Sequence, residues 1–510
     1  MGASLAPLPR RPAASRPLRE TACERKRESP VTVPPMKARG ELAIVLHTHM
    51  PYVEGGGEWP PVDRTSFLRT PEGFGSWPFG EEWLWEAIAN SYLPLLDVLG
   101  RAPITLSLTP VLCDQLEAPG ATARCLRFLT EVRPESHRRD LKGFRDRGEE
   151  VFESELRRSA EEYAGAAERL QGLPDGVLEA LGRHASWTSA ATHAVLPLLA
   201  SDAGIALQVQ SGIASHRRRF GDWGGGFWLP ECAHAPWLDE MLEEAGVRST
   251  CVELTAAFGL GDRRHLQPLA TEAGPVLWPV DRQTMSLVWS EHGYPASGAY
   301  RDYHRLTFHH HRVWRNDGGP YDHEAADALA ARHAAEFVAR VRERVREGGV
   351  CVCALDTELL GHWWYEGVRW LGAVLDETAR QGLAMTTLDD ALERHEPLAA
   401  PSELGITSWG EGGDLRTWSG PQVADLVWLA RTAELRALAL GRRPGDRALR
   451  ELLALQSSDW AFLATRQLAG EYPRERARAH AEALAVALEP EPSVEPSLRN
   501  LAPELAGWMG

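Results

Sequence analysis

The sequence predicts an α/β barrel with helical insertions, followed by an all-helical region, on three observations. Short apolar runs end in carboxylates, amphipathic stretches separate those runs, and beyond Pro397-Leu-Ala-Ala-Pro401 the texture changes to helices rich in Ala, Leu and Arg. Carboxylates at the C-terminal ends of parallel strands are the pattern of α/β barrels, which carry their chemistry at that face.

Taken in order, residues 1–39 are rich in Pro and Arg and predict disorder. Met36 leads directly into the first strand and is expected to be the biological start. Residues 42–46 form that strand, and a Gly/Pro/Trp loop follows. A helix over 81–99 is predicted by the spacing of Trp83, Ala87, Ser91 and Leu95, which gives it one buried face. The second strand is 104–108, and the charged stretch 121–185 reads as a helical insertion packed on the barrel. Residues 206–209 are expected to be a further strand, with 216–226 a loop leading to strand 227–229, where Pro230 marks the end of regular pairing. Then come a helix over 238–245, an extended segment 249–252, an amphipathic helix over 327–347, the buried strand 350–355 and a last short strand 385–387. Helices follow at 421–440, 446–469 and 474–488, and the proline-rich end is expected to be loosely attached. The domains expected are thus 1–39, 40–400 and 401–510.

Two segments pair tryptophan with a carboxylate: Gly226-Phe-Trp-Leu-Pro-Glu231-Cys-Ala-His234 and Ala354-Leu-Asp356-Thr-Glu358-Leu-Leu-Gly-His362-Trp-Trp-Tyr-Glu-Gly367. Cleaving a glycosidic bond needs one carboxyl to protonate the leaving oxygen and a second to attack or shield the anomeric carbon. Aromatic rings beside them supply flat faces on which sugars stack. An acidic residue after a strand also serves as a helix N-cap. Two such residues, each flanked by tryptophan, favour catalysis by Glu231 and Asp356.

At these residues the chain resembles glycoside hydrolase family 57, in particular its α-1,4-glucan branching subgroup. The resemblance begins at Ala43-Ile-Val-Leu-His47-Thr-His49-Met-Pro51 and continues through Trp77-Pro-Phe-Gly-Glu-Glu-Trp83, Tyr92-Leu-Pro-Leu-Leu96 and Ala191-Thr-His193-Ala-Val-Leu-Pro-Leu-Leu199. It resumes at Leu287-Val-Trp289-Ser-Glu-His-Gly-Tyr294 and ends with Thr407-Ser-Trp409-Gly-Glu-Gly-Gly-Asp414 and Gln456-Ser-Ser-Asp459-Trp460, spanning about residues 40 to 485. It implies an incomplete TIM-like (β/α)7 barrel, with Glu231 as nucleophile and Asp356 as general acid/base. It also implies that His47 and His49 line the site near the donor sugar, and that Trp289, Trp409, Trp418 and Asp459 build the glucan subsites. The activity implied is a retaining transglycosylase that cleaves α-1,4 and forms α-1,6 linkages in amylose- or glycogen-like glucans, with no cofactor. Branching members carry a mobile loop with a tyrosine at its tip that helps exclude water; the corresponding stretch here, 255–279, contains no tyrosine. An α-amylase-type retaining hydrolase of the same family is therefore the alternative.

The net charge of −16 disfavours nucleic acid and anionic membrane surfaces and suits a neutral polymer. Seven cysteines without a paired CxxC signature indicate neither a disulfide framework nor structural zinc, and point to a reducing cytoplasm. Cys351 and Cys353 are expected in the core. His47 and His49 have a legitimate metal-ligand spacing, yet imidazoles also hydrogen-bond sugar hydroxyls without metal. His309-His-His311 lacks an accompanying carboxylate pattern and is expected to have a surface or packing role rather than to bind metal. Glu358 rivals Asp356 on the same face and is expected to support it through Arg or His neighbours. Of adjacent Trp363 and Trp364, one is expected to face the site and the other to pack behind; Trp187 and Trp314 are assigned to the core. No segment has the HxxxH spacing of a metal-dependent deacetylase, and no glycine loop suits a sugar-nucleotide synthase. An idle glycan-binding protein would lack the carboxylates.

Overall fold

Every residue from Leu42 to Thr48 is buried, so the first strand has protein on both faces, as parallel sheets require. The computed structural model describes residues 40–53, 80–490, 498 and 500–508; the expected disorder over 1–39 and the expected start at Met36 lie outside them. Its strands are β1 (Glu41–Thr48), β2 (Thr105–Leu108), β3 (Ala185–Ser189), β4 (Phe227–Trp228), β5 (Ser249–Val252), β6 (Leu269–Ala270), β7 (Val276–Pro279), β8 (Val350–Asp356), β9 (Ala384–Met385) and β10 (Leu398–Ala399).

The main sheet runs β4-β3-β2-β1-β8, all parallel, with β9 beside the start of β1. A single bridge from Gly226 to Ser249 carries the order on to β5, which pairs in parallel with β7. Just past β7, the Asp281 N–H donates to the Val352 carbonyl of β8 at 2.9 Å. Isolated bonds at these two joins replace a ladder, so the parallel sheet is curled and open, an incomplete barrel. The β6 and β10 strands extend it on the outside, β6 antiparallel to β7.

Register matters more here than strand length. β1 and β8 pair over seven residues, with His47 opposite Asp356. Each buried aliphatic side chain contributes about 1.5–3 kcal/mol, and a one-residue slip would move each side chain to the opposite face, into packing shaped for another. The β1–β8 register therefore fixes which way Asp356 points.

Long helices pack around the sheet: α1 (Arg133–Arg147) and α2 (Glu153–Gln171) in the insertion, α3 (Asp202–Phe220), α4 (Arg282–Val288), α5 (His323–Arg344) and α6 (Gly367–Gln381). The separate C-terminal helical region contains α7 (Ala424–Leu438), α8 (Asp446–Leu455), α9 (Ser458–Thr465) and α10 (Tyr472–Ala487). Its apolar core is shared: Tyr52, Val111, Val195, Leu207 and Ala233 of the α/β part join Leu449, Leu452, Trp460 and Leu484. Glu434 of α7 adds a polar tie, accepting hydrogen bonds from the Ala200 N–H and from Gln456 Nε2, both at 3.0 Å.

Four local expectations are corrected. Residues 206–209 lie within α3, which begins when the Ser201 hydroxyl accepts from the Gly204 N–H and continues through 216–220. Most of α3 is buried, so its apolar run has no period to distinguish it from a strand. The strand that stands beside β4 is β3, whose Ala-Ser-Trp-Thr-Ser sequence carries no apolar run and is held by pairing on both sides. The expected helix over 446–469 breaks at Gln456 and Ser457 and restarts as α9. Finally, 500–508 is anchored: Leu501, Ala502 and Trp508 are buried, and the Ala502 N–H donates to Asp114 at 2.7 Å.

Among the smaller expectations, Trp187 is fully buried, His311 is buried against Arg133 and Ser136, and Cys351 and Cys353 are buried and free. Trp314 is only partly buried and packs against Phe144 and Phe152. No helix among the described residues is long and apolar enough to cross a membrane.

Candidate active site

Glu231 follows the two-residue strand β4 and sits in the left-handed backbone region, with φ 62°, as does Cys232 at 48°. Such conformations cost a non-glycine residue on the order of 1–3 kcal/mol and persist only where the surroundings enforce them. Pro230 ends the strand, and the Cys232 and Ala233 N–H groups close a tight turn onto the Leu229 and Pro230 carbonyls at 2.9 and 3.0 Å. The segment before the helical region completes the clamp. Thr407 exchanges two backbone hydrogen bonds with His234, and the Trp409 N–H donates to the Glu231 carbonyl at 3.0 Å.

The Glu231 carboxylate receives two donors: Trp409 Nε1–H to Oε2 at 2.8 Å and the Ser458 hydroxyl to Oε1 at 3.1 Å. Ser458 opens α9, so the helix break at Ser457 brings it there. The next residue, Asp459, meets His49 Nε2 at 3.0 and 3.1 Å. Asp356 arrives differently, at the end of an unbroken strand, and no hydrogen bond to its carboxyl forms among the described residues.

Three imidazoles line the floor. His47 lies 4.8 Å from His193 by ring centroids, and His193 lies 4.1 Å from His49, both pairs stacked. His47 Nε2 and His193 Nε2 are 2.9 Å apart, and His193 Nδ1 is 2.9 Å from the Ser458 hydroxyl. His193 also has a positive φ, 58°. An aromatic wall rises from this floor, with Trp228 stacked on His47 at 4.6 Å and Trp409 against Trp228 at 5.1 Å. Trp289 is 5.8 Å from Trp409 and 6.3 Å from Trp363. Trp289 is 37% exposed, so its ring is available at the rim. Trp364 is buried behind Trp363.

Burial dominates the electrostatics. It pushes Glu231 up to about 7, while the Trp409 and Ser458 donors and nearby His49 oppose the rise and Asp459 adds to it. Asp356 is raised well above the usual carboxylate range by burial, then by the charges of Glu358, Glu231 and Asp459, with no donor to offset them. Burial and neighbouring negative charge thus favour the neutral form of Asp356 unopposed, whereas Glu231 has two donors that favour its anion. Burial acts against charge on His49 as well, but Asp459, Glu358 and Glu231 outweigh it and raise its pKa. His47 and His193 are lowered well below 6.5 by burial and by His49, so they are neutral.

Of the residues singled out by sequence, His47, His49, Glu231, Asp356, Trp289, Trp409 and Asp459 thus form one linked group. Trp418 does not join it; the ring is 2% exposed and packs against Gly410, within the helical core. Glu358 accepts from the His49 backbone N–H at 3.1 Å and from the Tyr92 hydroxyl at 2.6 Å, and the His49 imidazole acts on it through charge, so a histidine neighbour is present as expected and a phenol joins it. His193, Ser458 and Tyr92 were not singled out for the site. All three lie in quoted motifs but in no carboxylate pattern, and Tyr92 acts through a side chain 266 positions from its partner. Residues 255–279 hold a short helix, a 3-10 turn, β6 and β7.

Comparison with known proteins agrees with this arrangement. The model of glycosyl hydrolase family 57 matches residues 181–401, and that of the 1,4-alpha-glucan branching enzyme C-terminal region matches 423–490. A 1,4-alpha-glucan branching enzyme of Thermococcus kodakarensis is 31% identical, covering 86% of this chain and 72% of its own. A probable 1,4-alpha-glucan branching enzyme of Mycobacterium tuberculosis is 32% identical, covering 86% and 90%. The crystal structure of a GH57-type branching enzyme from Pyrococcus horikoshii superposes with a TM-score of 0.76 at 31% identity, covering 89% of this chain and 90% of that one. An open parallel sheet ending in two largely buried carboxyls, a helical region seated over them and similarities that cover most of the chain lead to one conclusion: the chain belongs to glycosyl hydrolase family 57 and is closely related to its 1,4-α-glucan branching enzymes.

Proposed function

We propose that the protein is a 1,4-α-glucan branching enzyme acting by double displacement, with Glu231 as nucleophile and Asp356 as general acid/base. The observation that carries the reading is the unequal treatment of two buried carboxyls: Glu231 has two donors that favour its anion, and Asp356 has none. Protonated Asp356 gives its proton to the glycosidic oxygen as a Glu231 oxygen attacks the anomeric carbon. The C–O bond to the departing chain breaks, and a glycosyl ester forms on Glu231. Esterification removes the Glu231 charge, which lowers the affinity of Asp356 for a proton. Asp356, now a carboxylate, takes the proton of an acceptor 6-hydroxyl while that oxygen displaces Glu231, giving an α-1,6 linkage with net retention.

The substrate is an α-glucan, and the rim rings of Trp289 and Trp363 offer it stacking faces beside the carboxyls. Transfer and hydrolysis differ only in what reaches the ester, a sugar hydroxyl or water. The six described cysteines, all free and buried, suit the cytoplasmic location expected from the sequence. The test is incubation with amylose, followed by debranching and chain-length analysis alongside a reducing-end assay. New α-1,6 branches with few new reducing ends support the proposal. Reducing ends without branches would assign hydrolysis instead.

A further inference from the structure

We propose that Ser458 and His193 are positioning residues for Glu231, the last links of a hydrogen-bond chain whose donors all point toward that carboxylate. The proposal rests on the reading of Glu231 as nucleophile and deepens it.

The direction follows from counting protons. An ionised carboxylate only accepts, so the Ser458 hydroxyl, 3.1 Å from Glu231 Oε1, spends its single O–H there. The oxygen of Ser458 then accepts from its other neighbour, His193 Nδ1 at 2.9 Å, which must carry a proton. His193 is neutral, so its Nε2 is bare and accepts from His47 Nε2–H at 2.9 Å. Neutral His47 in turn has a bare Nδ1, facing the Ser107 hydroxyl at 3.5 Å. The chain therefore runs Ser107, His47, His193, Ser458, Glu231, and each tautomer in it is set by the charge at its end.

Its links come from different parts of the chain. Ser107 lies on β2, His47 on β1, His193 on the turn after β3, Glu231 after β4, and Ser458 on α9 of the helical region. Left-handed backbone at both His193 and Glu231 aims their side chains at Ser458. The Ser458 N–H donates to the His193 carbonyl at 3.2 Å, which fixes the spacing independently of the side chains. The helical region thus supplies a donor that holds Glu231 as an anion and restricts its rotation.

The titratable groups facing Glu231 are His49 just after β1, His193 itself, Asp356 from β8, Asp459 from α9 and the adjacent Cys232. Removing the Ser458 hydroxyl leaves all of these and the Trp409 donor in place. It also leaves the helix cap position, which belongs to Ser457.

Two measurements test the chain. In full-length protein labelled with 15N-histidine, at a pH where Glu231 is ionised, His193 is expected to carry its proton on Nδ1 and His47 on Nε2. This readout needs no catalysis. In branching assays, Ser458→Ala is expected to move the acidic limb of kcat/KM upward by about one pH unit and to lower kcat about tenfold, and Ser458→Thr is expected to restore both. Protonation of His193 on Nε2, or an acidic limb of folded Ser458→Ala that coincides with the unaltered enzyme, would overturn the proposal. If Glu231→Gln stays fully active, the nucleophile assignment fails, whatever the tautomers. If that variant is inactive while His193 is protonated on Nε2, the chain alone fails.

Discussion

Glu231 and Asp356 reach the same cleft by opposite devices. Asp356 ends a seven-residue strand with regular backbone, and burial together with the charges of Glu358, Glu231 and Asp459 disfavours its anion. Glu231 follows two strand residues, sits on left-handed backbone and is clamped by Trp409 and Ser458 from outside the sheet. The difference matches the roles proposed for the two groups. A general acid needs isolation from donors so that it keeps a proton, and a nucleophile needs donors so that it gives one up and stays aimed.

The largest expected effect comes from exchanging either carboxyl for its amide. Glu231→Gln and Asp356→Asn should each lower turnover at least about a thousandfold with folding intact, because each removes a covalent or proton-transfer step. They should differ with an activated donor that needs no acid. Asp356→Asn should then still accumulate a glycosyl adduct detectable by mass spectrometry, and Glu231→Gln should not. An adduct on any other residue would reverse the assignment.

Next in size is the clamp. Trp409→Phe keeps a ring in the aromatic wall but removes the donor to Glu231 Oε2. A hydrogen bond to a charged group is worth about 1.5–3 kcal/mol, so kcat should fall roughly ten- to a hundredfold and the acidic limb of the pH profile should rise. A loss confined to KM would mean that Trp409 only stacks sugar.

A stability effect follows from burial of Glu231. Glu231 is raised to about 7 in the folded chain against a usual 4.5, so the folded state binds its proton more tightly. Stability from this group is therefore fully present below about pH 4.5 and is lost as pH rises through about 7. Glu231→Gln should be more stable than the unaltered enzyme at pH 8 by up to about 3 kcal/mol, with the advantage shrinking toward pH 4.5. Thermal unfolding at both pH values measures it; an equal advantage at both would indicate a packing effect instead.

The smallest effect sharpens the contrast between Trp409 and nearby Trp418. Trp418→Phe should lower stability by about 1–2 kcal/mol through lost packing, yet leave the pH profile of kcat unchanged. A shifted acidic limb would show that the ring reaches the carboxyls through Gly410.

Sequence alone determined the features that depend on local pattern. The short apolar run Val350–Leu355, with its small and β-branched residues and Gly348-Gly349 before it, reads as a buried strand, which put Asp356 at a strand end, and Trp228-Leu-Pro230 ended the other strand at Glu231. The motif resemblance supplied His47, His49, Trp289, Trp409 and Asp459, all of which meet in the folded chain. Tertiary structure alone decided the rest. β3 has no apolar pattern and exists as a strand because β2 and β4 flank it. The apolar stretch within α3 reads equally well as strand or helix until both faces are seen to be buried. Ser458 stands 227 positions from Glu231, and His193 is 146 from His47, so no local spacing could pair them. The two carboxyls illustrate the division. A strand's periodicity is written in adjacent residues, whereas the balance between desolvation and donors that separates an acid from a nucleophile depends on groups that only the folded chain brings together.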